Sequence, residues 1–238
     1  MTDRKSALRY LGLIIFIFGI ILGVLLCLAR AIPDLEATMY GFTKYGYPKL
    51  TSLRCPLLMT ISDRQNVTIK LANNLDRSLN YYVVAQFSSP ILINSVSGKV
   101  ELQPGETKVL SWEVGNENVS LGNFIFARVY TTASAAHGMK EALCGTFVIN
   151  YPLTGGPTIY YIAIIVMVLC LALGIWLWRR YTLLSESNLV AQYTWMRFNG
   201  ILVVLSVAVG FMDWWFFAIL SVIGTILTSI VFLIPRKI

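Results

Sequence analysis

The sequence predicts a membrane protein with four transmembrane α-helices and an all-β extracytoplasmic domain of about seven strands. Three observations predict it. The 238-residue chain is 56% hydrophobic and only 13% charged, with a mean hydropathy of +0.67, too apolar for a soluble domain. Uncharged runs of bilayer length recur near the N-terminus, in the middle and at the C-terminal end. Between the first two lies a stretch of about a hundred residues in which short alternating segments are separated by turn residues, the pattern of a two-sheet sandwich.

The basic N-tail, MTDRKSALRY, leads into Leu11–Ala29, a run without charge. A cleaved signal peptide has an apolar core of about 7–15 residues and a small-residue cleavage site. Ala29-Arg30-Ala31 offers a weak version of that site. The length of the run favours a retained helix, so residues 1–30 are read as a cytoplasmic tail and helix 1. Gly19, Gly23 and Cys27 recur every four residues and line one face with small side chains, which suits close helix packing.

Residues 31–49 read as a juxtamembrane linker. Pro33, Asp34 and Glu36 carry the residue types of a helix start. Tyr40, Phe42, Tyr45 and Tyr47 form an aromatic cluster, read as an interfacial patch or a partner-binding surface.

Residues 50–151 read as the β-domain. LRCPLLMTIS is the first strand. VTIKLAN follows, with Val67, Ile69 and Leu71 alternating against polar neighbours. Asn73-Asn74-Leu75-Asp76 turns the chain into Leu79–Phe87. Ile91–Val96 is expected to meet a turn at Ser97-Gly98 and return as KVEL. Gln103-Pro104-Gly105-Glu106 is a strong turn signal. TKVLSWEV sets Leu110, Trp112 and Val114 on one face, and NFIFARVYTT and ALCGTFVIN close the set. In NFIFARVYTT, Phe124 and Phe126 fall opposite Ile125, Ala127 and Val129. With the latter three inward, the two aromatics are expected at the surface as a contact patch.

The phrases VELQPGETKVLSWEV (100–114) and NVTIKLANN (66–74) resemble the immunoglobulin-like β-sandwich modules of the CARDB or fibronectin type found on many cell-surface proteins. The resemblance covers under half of the chain. It implies a seven-stranded sandwich and a binding or structural role. The cysteines depart from the antibody pattern, and no Trp stands between them at the place of that family's core Trp.

Cys27 and Cys170 fall inside apolar runs and read as small hydrophobes. Cys55 and Cys144 bracket the β-domain. In an oxidising compartment they form its disulfide; otherwise they are two buried thiols. Asn66-Val67-Thr68 and Asn118-Val119-Ser120 are glycosylation sequons, both expected to be accessible and used only where the host glycosylates.

A joint and helix 2 occupy residues 152–178. The uncharged run Thr158–Trp178 is flanked by Tyr160 and Tyr161 at one end and by Trp176 and Trp178 at the other, where amphipathic rings prefer the interface. Arg179 and Arg180 place the Trp end in the cytoplasm. Residues 179–197 form a cytoplasmic loop. Residues 198–238 hold an apolar run too long for one crossing and are read as a hairpin of helices 3 and 4, turning near Asp213-Trp214-Trp215. Ser206 and Gly210 supply a small-residue face on helix 3. Ser221, Thr225 and Ser229 make a stripe on helix 4, read as a packing face or as hydroxyls bonded back to their own helix.

The net charge is +7. Arg4, Lys5, Arg9, Arg179, Arg180, Arg197, Arg236 and Lys237 lie at cytoplasmic membrane edges, which accounts for much of it, and the other cations are scattered. Nucleic acid is therefore not an expected partner. The single histidine, His137, sits in a small-residue loop, so His-based catalysis and haem ligation lack their residue. Asp213 is the one carboxylate of the hairpin and is placed at its exposed turn. There is no P-loop and no GxGxxG. No cofactor and no metal site is expected. The reading is a non-catalytic accessory or structural subunit that docks onto other membrane subunits through its helices and braces them with its outer domain. The alternative is a stand-alone receptor or adhesion module binding through its loops. The expected setting is a bacterial plasma membrane with both termini cytoplasmic and residues 31–157 outside, or alternatively a eukaryotic endomembrane or plasma membrane.

Overall fold

The computed structural model describes residues 2–40, 42, 48–133, 138–152, 154–181, 187–211 and 215–233. The chain divides into two compact units. One comprises Met1–Ala31 with Tyr160–Ile238, and the other is Ile32–Ile159.

The helical unit contains most of α1 (Thr2–Met39) and of α2 (Gly156–Tyr181), together with α3 (Ser187–Phe211) and α4 (Trp215–Leu233). Among the described residues three helices are long and apolar enough to cross a membrane: Ser6–Met39, Gly156–Tyr181 and Ala191–Phe211. In α4 the apolar stretch is the shorter Ile219–Ser229. The hairpin turn expected near Asp213-Trp214-Trp215 falls largely outside the described residues. Its first arm begins at Ser187, well before Phe198, and so takes in much of the segment read as a cytoplasmic loop.

Among its described residues the β-unit has eight strands. β2 (Leu58–Thr60), β8 (Met139–Ile149), β7 (Phe124–Thr132), β4 (Leu79–Phe87) and β5 (Asn94–Leu102) form a five-stranded sheet in that order, with β2 parallel to β8. β1 (Leu53–Arg54), β3 (Gln65–Ala72) and β6 (Thr107–Val114) form a three-stranded sheet. One apolar core lies between the sheets. Val67, Ile69 and Leu71 enter it from β3, Val83, Ala85 and Phe87 from β4, and Ile125, Ala127 and Val129 from β7. The period-two alternation read from the sequence is what places these residues inward. Leu110 and Trp112 of β6 pack against the same core, with Trp112 and Phe87 ring centroids 6.2 Å apart.

Three local expectations are corrected. LRCPLLMTIS is two strands, because the chain leaves one sheet after Arg54 and joins the other at Leu58. Pro56, which has no N–H to give to a ladder, lies in the crossing. Ser97-Gly98 is not a turn. β5 runs straight through it, with Gly98 opposite Val83, and the chain reverses earlier, between Phe87 and Asn94. The linker after Ala31 is helix as far as Met39, passing through Pro33 without a break. The Pro33 carbonyl packs where a side chain at Gly145 of β8 would stand, so only glycine at 145 lets that helical end lie against the strand.

Candidate functional site

The chemistry-bearing residues of the β-unit concentrate around the two helical ends that belong to it, residues 32–39 and 156–159. At the end of α1, the Asp34 carboxylate accepts the Gly145 N–H at 2.9 Å. Ala37, Tyr40 and Phe42 then cover Phe126. The Tyr40 ring lies 4.7 Å from that of Phe126 and 5.0 Å from that of Phe42, and Phe124 and Phe126 stack at 5.7 Å. Phe124 and Phe126 do lie on the face opposite the core residues, but the expected exposure is corrected. Phe126 is completely buried, because the chain's own helical end and Phe42 sit on it. Tyr45 and Tyr47 of the same aromatic group lie outside the described residues.

At the start of α2, the Asp63 carboxylate accepts the Gly156 N–H at 2.7 Å and the Thr60 N–H at 2.9 Å. Gly156 lies directly on the backbone of Leu58 and Met59. Burial pushes the Asp63 carboxyl up, but hydrogen bonds from Gly156, Thr60 and Gln65 outweigh it and hold the pKa below its ordinary value.

Cys55 and Cys144 form a disulfide with Cα atoms 6.1 Å apart. Cys55 follows β1 of one sheet and Cys144 lies in β8 of the other, so the bond joins the two sheets. The two sequons differ. Asn66 is exposed. Asn118 is buried; its side-chain amide donates to the Ser88 carbonyl at 3.2 Å and accepts the Gly115 N–H at 3.1 Å. The expectation that both amides are open to modification is corrected at Asn118.

Within the helical unit the small residues are used by the chain itself. A Cβ on Gly19 would lie 3.1 Å from the Leu171 side chain of α2, and one on Gly23 would collide with Val203 of α3. Buried Cys27, the third member of that stripe, packs with Val222 of α4. Gly210 sets no close approach, since a Cβ there would meet nothing within 4 Å. Ser206 and Thr225 are buried, and each hydroxyl bonds back to its own helix, to Leu202 at 2.7 Å and Ser221 at 2.9 Å. For Thr225, one of the helix-4 stripe, this is the self-bonded alternative.

Sequence reasoning missed the polar clasp between α3 and α4. Asn199 is fully buried, and its side-chain oxygen accepts the Thr228 hydroxyl at 2.7 Å. The Trp195 indole donates to the Thr228 carbonyl at 3.1 Å. An Asn inside an apolar run was the available signal, since an amide in such a place needs a partner. The buried pair Arg128–Glu141, at 2.7 Å across β7 and β8, was missed as well. Each residue sits on the outward side of its strand, where a charge ordinarily faces water. Asp213 and His137, the two groups weighed for chemistry, lie outside the described residues.

No protein-family model matches the chain, and no curated protein matches it in sequence. Parts of three solved glycoside hydrolases are similar to parts of it. A β-glucuronidase of Bacteroides uniformis matches 40% of this chain and 12% of its own, at 11% identity and a TM-score of 0.32. A β-glucosidase of Erythrobacter marinus matches 38% and 14%, at 19% identity and a TM-score of 0.28. A β-glucosidase of Listeria innocua matches 48% and 18%, at 20% identity and a TM-score of 0.29. The chain thus corresponds to under a fifth of each enzyme's length. These likenesses are distant and partial, and they assign no family.

Proposed function

We propose that this protein is a non-catalytic accessory or structural subunit of a larger membrane complex. Four helices cross the membrane in this reading, α4 being the fourth, and an immunoglobulin-like sandwich stands on the extracytoplasmic side with both termini in the cytoplasm. The observation that carries it is the double fastening of the β-unit. The end of α1 is tied to β8 through Asp34 and Gly145, and the first turn of α2 is tied to the β2–β3 turn through Asp63. Polar ties at both chain connections of the β-unit, with buried aromatics at the first of them, support a bracing role. The small residues Gly19, Gly23, Ser206 and Thr225 are occupied within the chain, so docking in this reading uses the outer helix faces, where Ile14, Phe18, Ile165 and Leu169 are exposed. The bacterial plasma membrane is the setting we propose.

The test is native mass spectrometry after mild detergent extraction from the source membrane. A stoichiometric complex with other membrane subunits is expected. A lone chain with a soluble ligand on its loops would instead establish the receptor reading.

A further inference from the structure

The two ends of the β-unit differ in chemistry. At one end the chain reverses through 73–78 and 103–106, where Asn74, Asp76, Arg77, Gln103 and Pro104 are exposed. At the other end, the loops that follow β2, β4 and β8 and the one that precedes β7 present bare apolar side chains. Ile91 is 88% exposed, Leu92 72% and Leu121 65%, with Ile61 and Tyr151 also open. The ladder register puts these loops at one end: Thr60 pairs with Ile149, Phe124 with Phe147, and Phe87 with Asn94. All of them belong to the five-stranded sheet. Of the charges at the same end, Arg64 pairs with Glu113 at 2.8 Å and with Glu117 at 3.5 Å on the other sheet's side, and the Asp63 carboxylate is taken up by the Gly156 and Thr60 N–H groups.

These side chains are held out. Ser89 closes the 89–92 turn by accepting the Leu92 N–H at 3.0 Å, which presents Ile91 and Leu92 at the tip. Leu121 has φ of +48°, a left-handed conformation that costs a branched side chain energy. The Ser120–Phe124 bridge closes that turn, with Ser120 N–H to Phe124 O at 2.7 Å. Fixed loops spending exposed Ile and Leu on water are unusual for a soluble surface.

The same end is where the chain enters α2. Tyr151 precedes Gly156 by five residues, and Gly156 is bonded to Asp63 in the turn that carries Ile61. We infer that this rim is a membrane-contact surface: Ile61, Ile91, Leu92, Leu121 and Tyr151 rest in the interfacial layer of the bilayer that α2 crosses. The inference rests on the reading of α2 as a membrane span. Lipid is the occupant because the rim is continuous in sequence with that crossing, carries exposed apolar side chains and a Tyr, and has Arg64 and Asp63 already engaged by partners.

The test uses the full chain with Cys27→Ala and Cys170→Ala, the disulfide intact, and a nitroxide on a single added cysteine at Leu92→Cys, Leu121→Cys or Asp76→Cys. The protein is placed in nanodiscs of phosphatidylcholine and phosphatidylglycerol. Relaxation by oxygen relative to a water-soluble nickel chelate is expected to be several-fold higher at 92 and 121 than at 76. Equal ratios at the three positions would overturn the inference. So would protection of 92 and 121 in native membranes but not in nanodiscs, which would make the occupant a protein. Flotation of the same protein with vesicles after a carbonate wash checks the crossing separately: a chain that fails to float removes the span and the rim together. A chain that floats while 92 and 121 stay in water removes the rim alone.

Discussion

Leu121 and Asp63 show how much single positions carry here. Leu121 is a branched residue held at φ of +48° with its side chain in the open. Leu121→Gly relieves the backbone and removes no buried contact, so the folded state is expected to gain about 0.5–1 kcal/mol, read as a rise in midpoint during urea unfolding in detergent. A loss of stability would mean that the side chain is packed after all. Asp63 accepts the Thr60 and Gly156 N–H groups. Asp63→Ala is expected to cost about 1–2 kcal/mol and to open the 150–156 joint to protease. The folded pKa of Asp63 lies below its ordinary value, so its contribution is complete above about pH 4 and disappears as the pH falls through the lowered folded value. Stability of the wild-type chain should therefore fall more steeply than that of Asp63→Ala between pH 4 and pH 2. Neither residue announces itself in the sequence. An Asp in SDRQ reads as an ordinary turn residue, and Leu121 in GNENVSLG reads as part of a polar turn.

Among the elements, the strands that alternate cleanly were legible, and those that depend on tertiary context were not. Val67-x-Ile69-x-Leu71 and Ile125-x-Ala127-x-Val129 declare their inward faces by period alone. The Pro-Gly turn at 103–106 is equally plain, with Gly105 at φ +73° and the Glu106 N–H bonded to Gln103 O at 3.0 Å. The split of β1 from β2 was hidden because a sheet change leaves no periodic trace. The helix through Pro33 was hidden because proline ordinarily ends one. Here packing against Gly145 and the Asp34 bond compensate for what the ring removes. Exposure of Phe126 was misjudged for the same reason: the segment that covers it is distant in sequence. The disulfide ties elements of different sheets across a separation of 89 residues. Cys144→Ala is expected to lower stability by about 4–5 kcal/mol in the chain-entropy account. Urea unfolding of the variant beside the reduced wild type measures this, and the two should agree.

For the molecule as a whole, the readable part was the division of the chain between apolar helices and alternating strands. Runs of bilayer length, Tyr and Trp flanks and trailing arginines were enough to separate the helical unit from the β-unit. Polar contacts inside the apolar segments, such as Asn199 with Thr228, were not readable, because a partner's position is set only once helices pair. Protease added to right-side-out vesicles is expected to cut exposed loops of residues 50–150, while an epitope at either terminus stays protected until the membrane is opened. Cleavage of the termini first would invert the proposed topology.

The order of the strands dictates when this protein finishes being made. β8 lies between β2 and β7 in the five-stranded sheet and carries Cys144, so neither the β2–β8 pairing nor the disulfide can form until the last strand has left the ribosome. The next residues to emerge are those of α2. Until β8 has emerged, β2 has no neighbour in that sheet, and the β7 edge that β8 will cover stays open. In the proposed topology that moment falls during translocation, when whatever shields the open edge on the far side decides how much product survives.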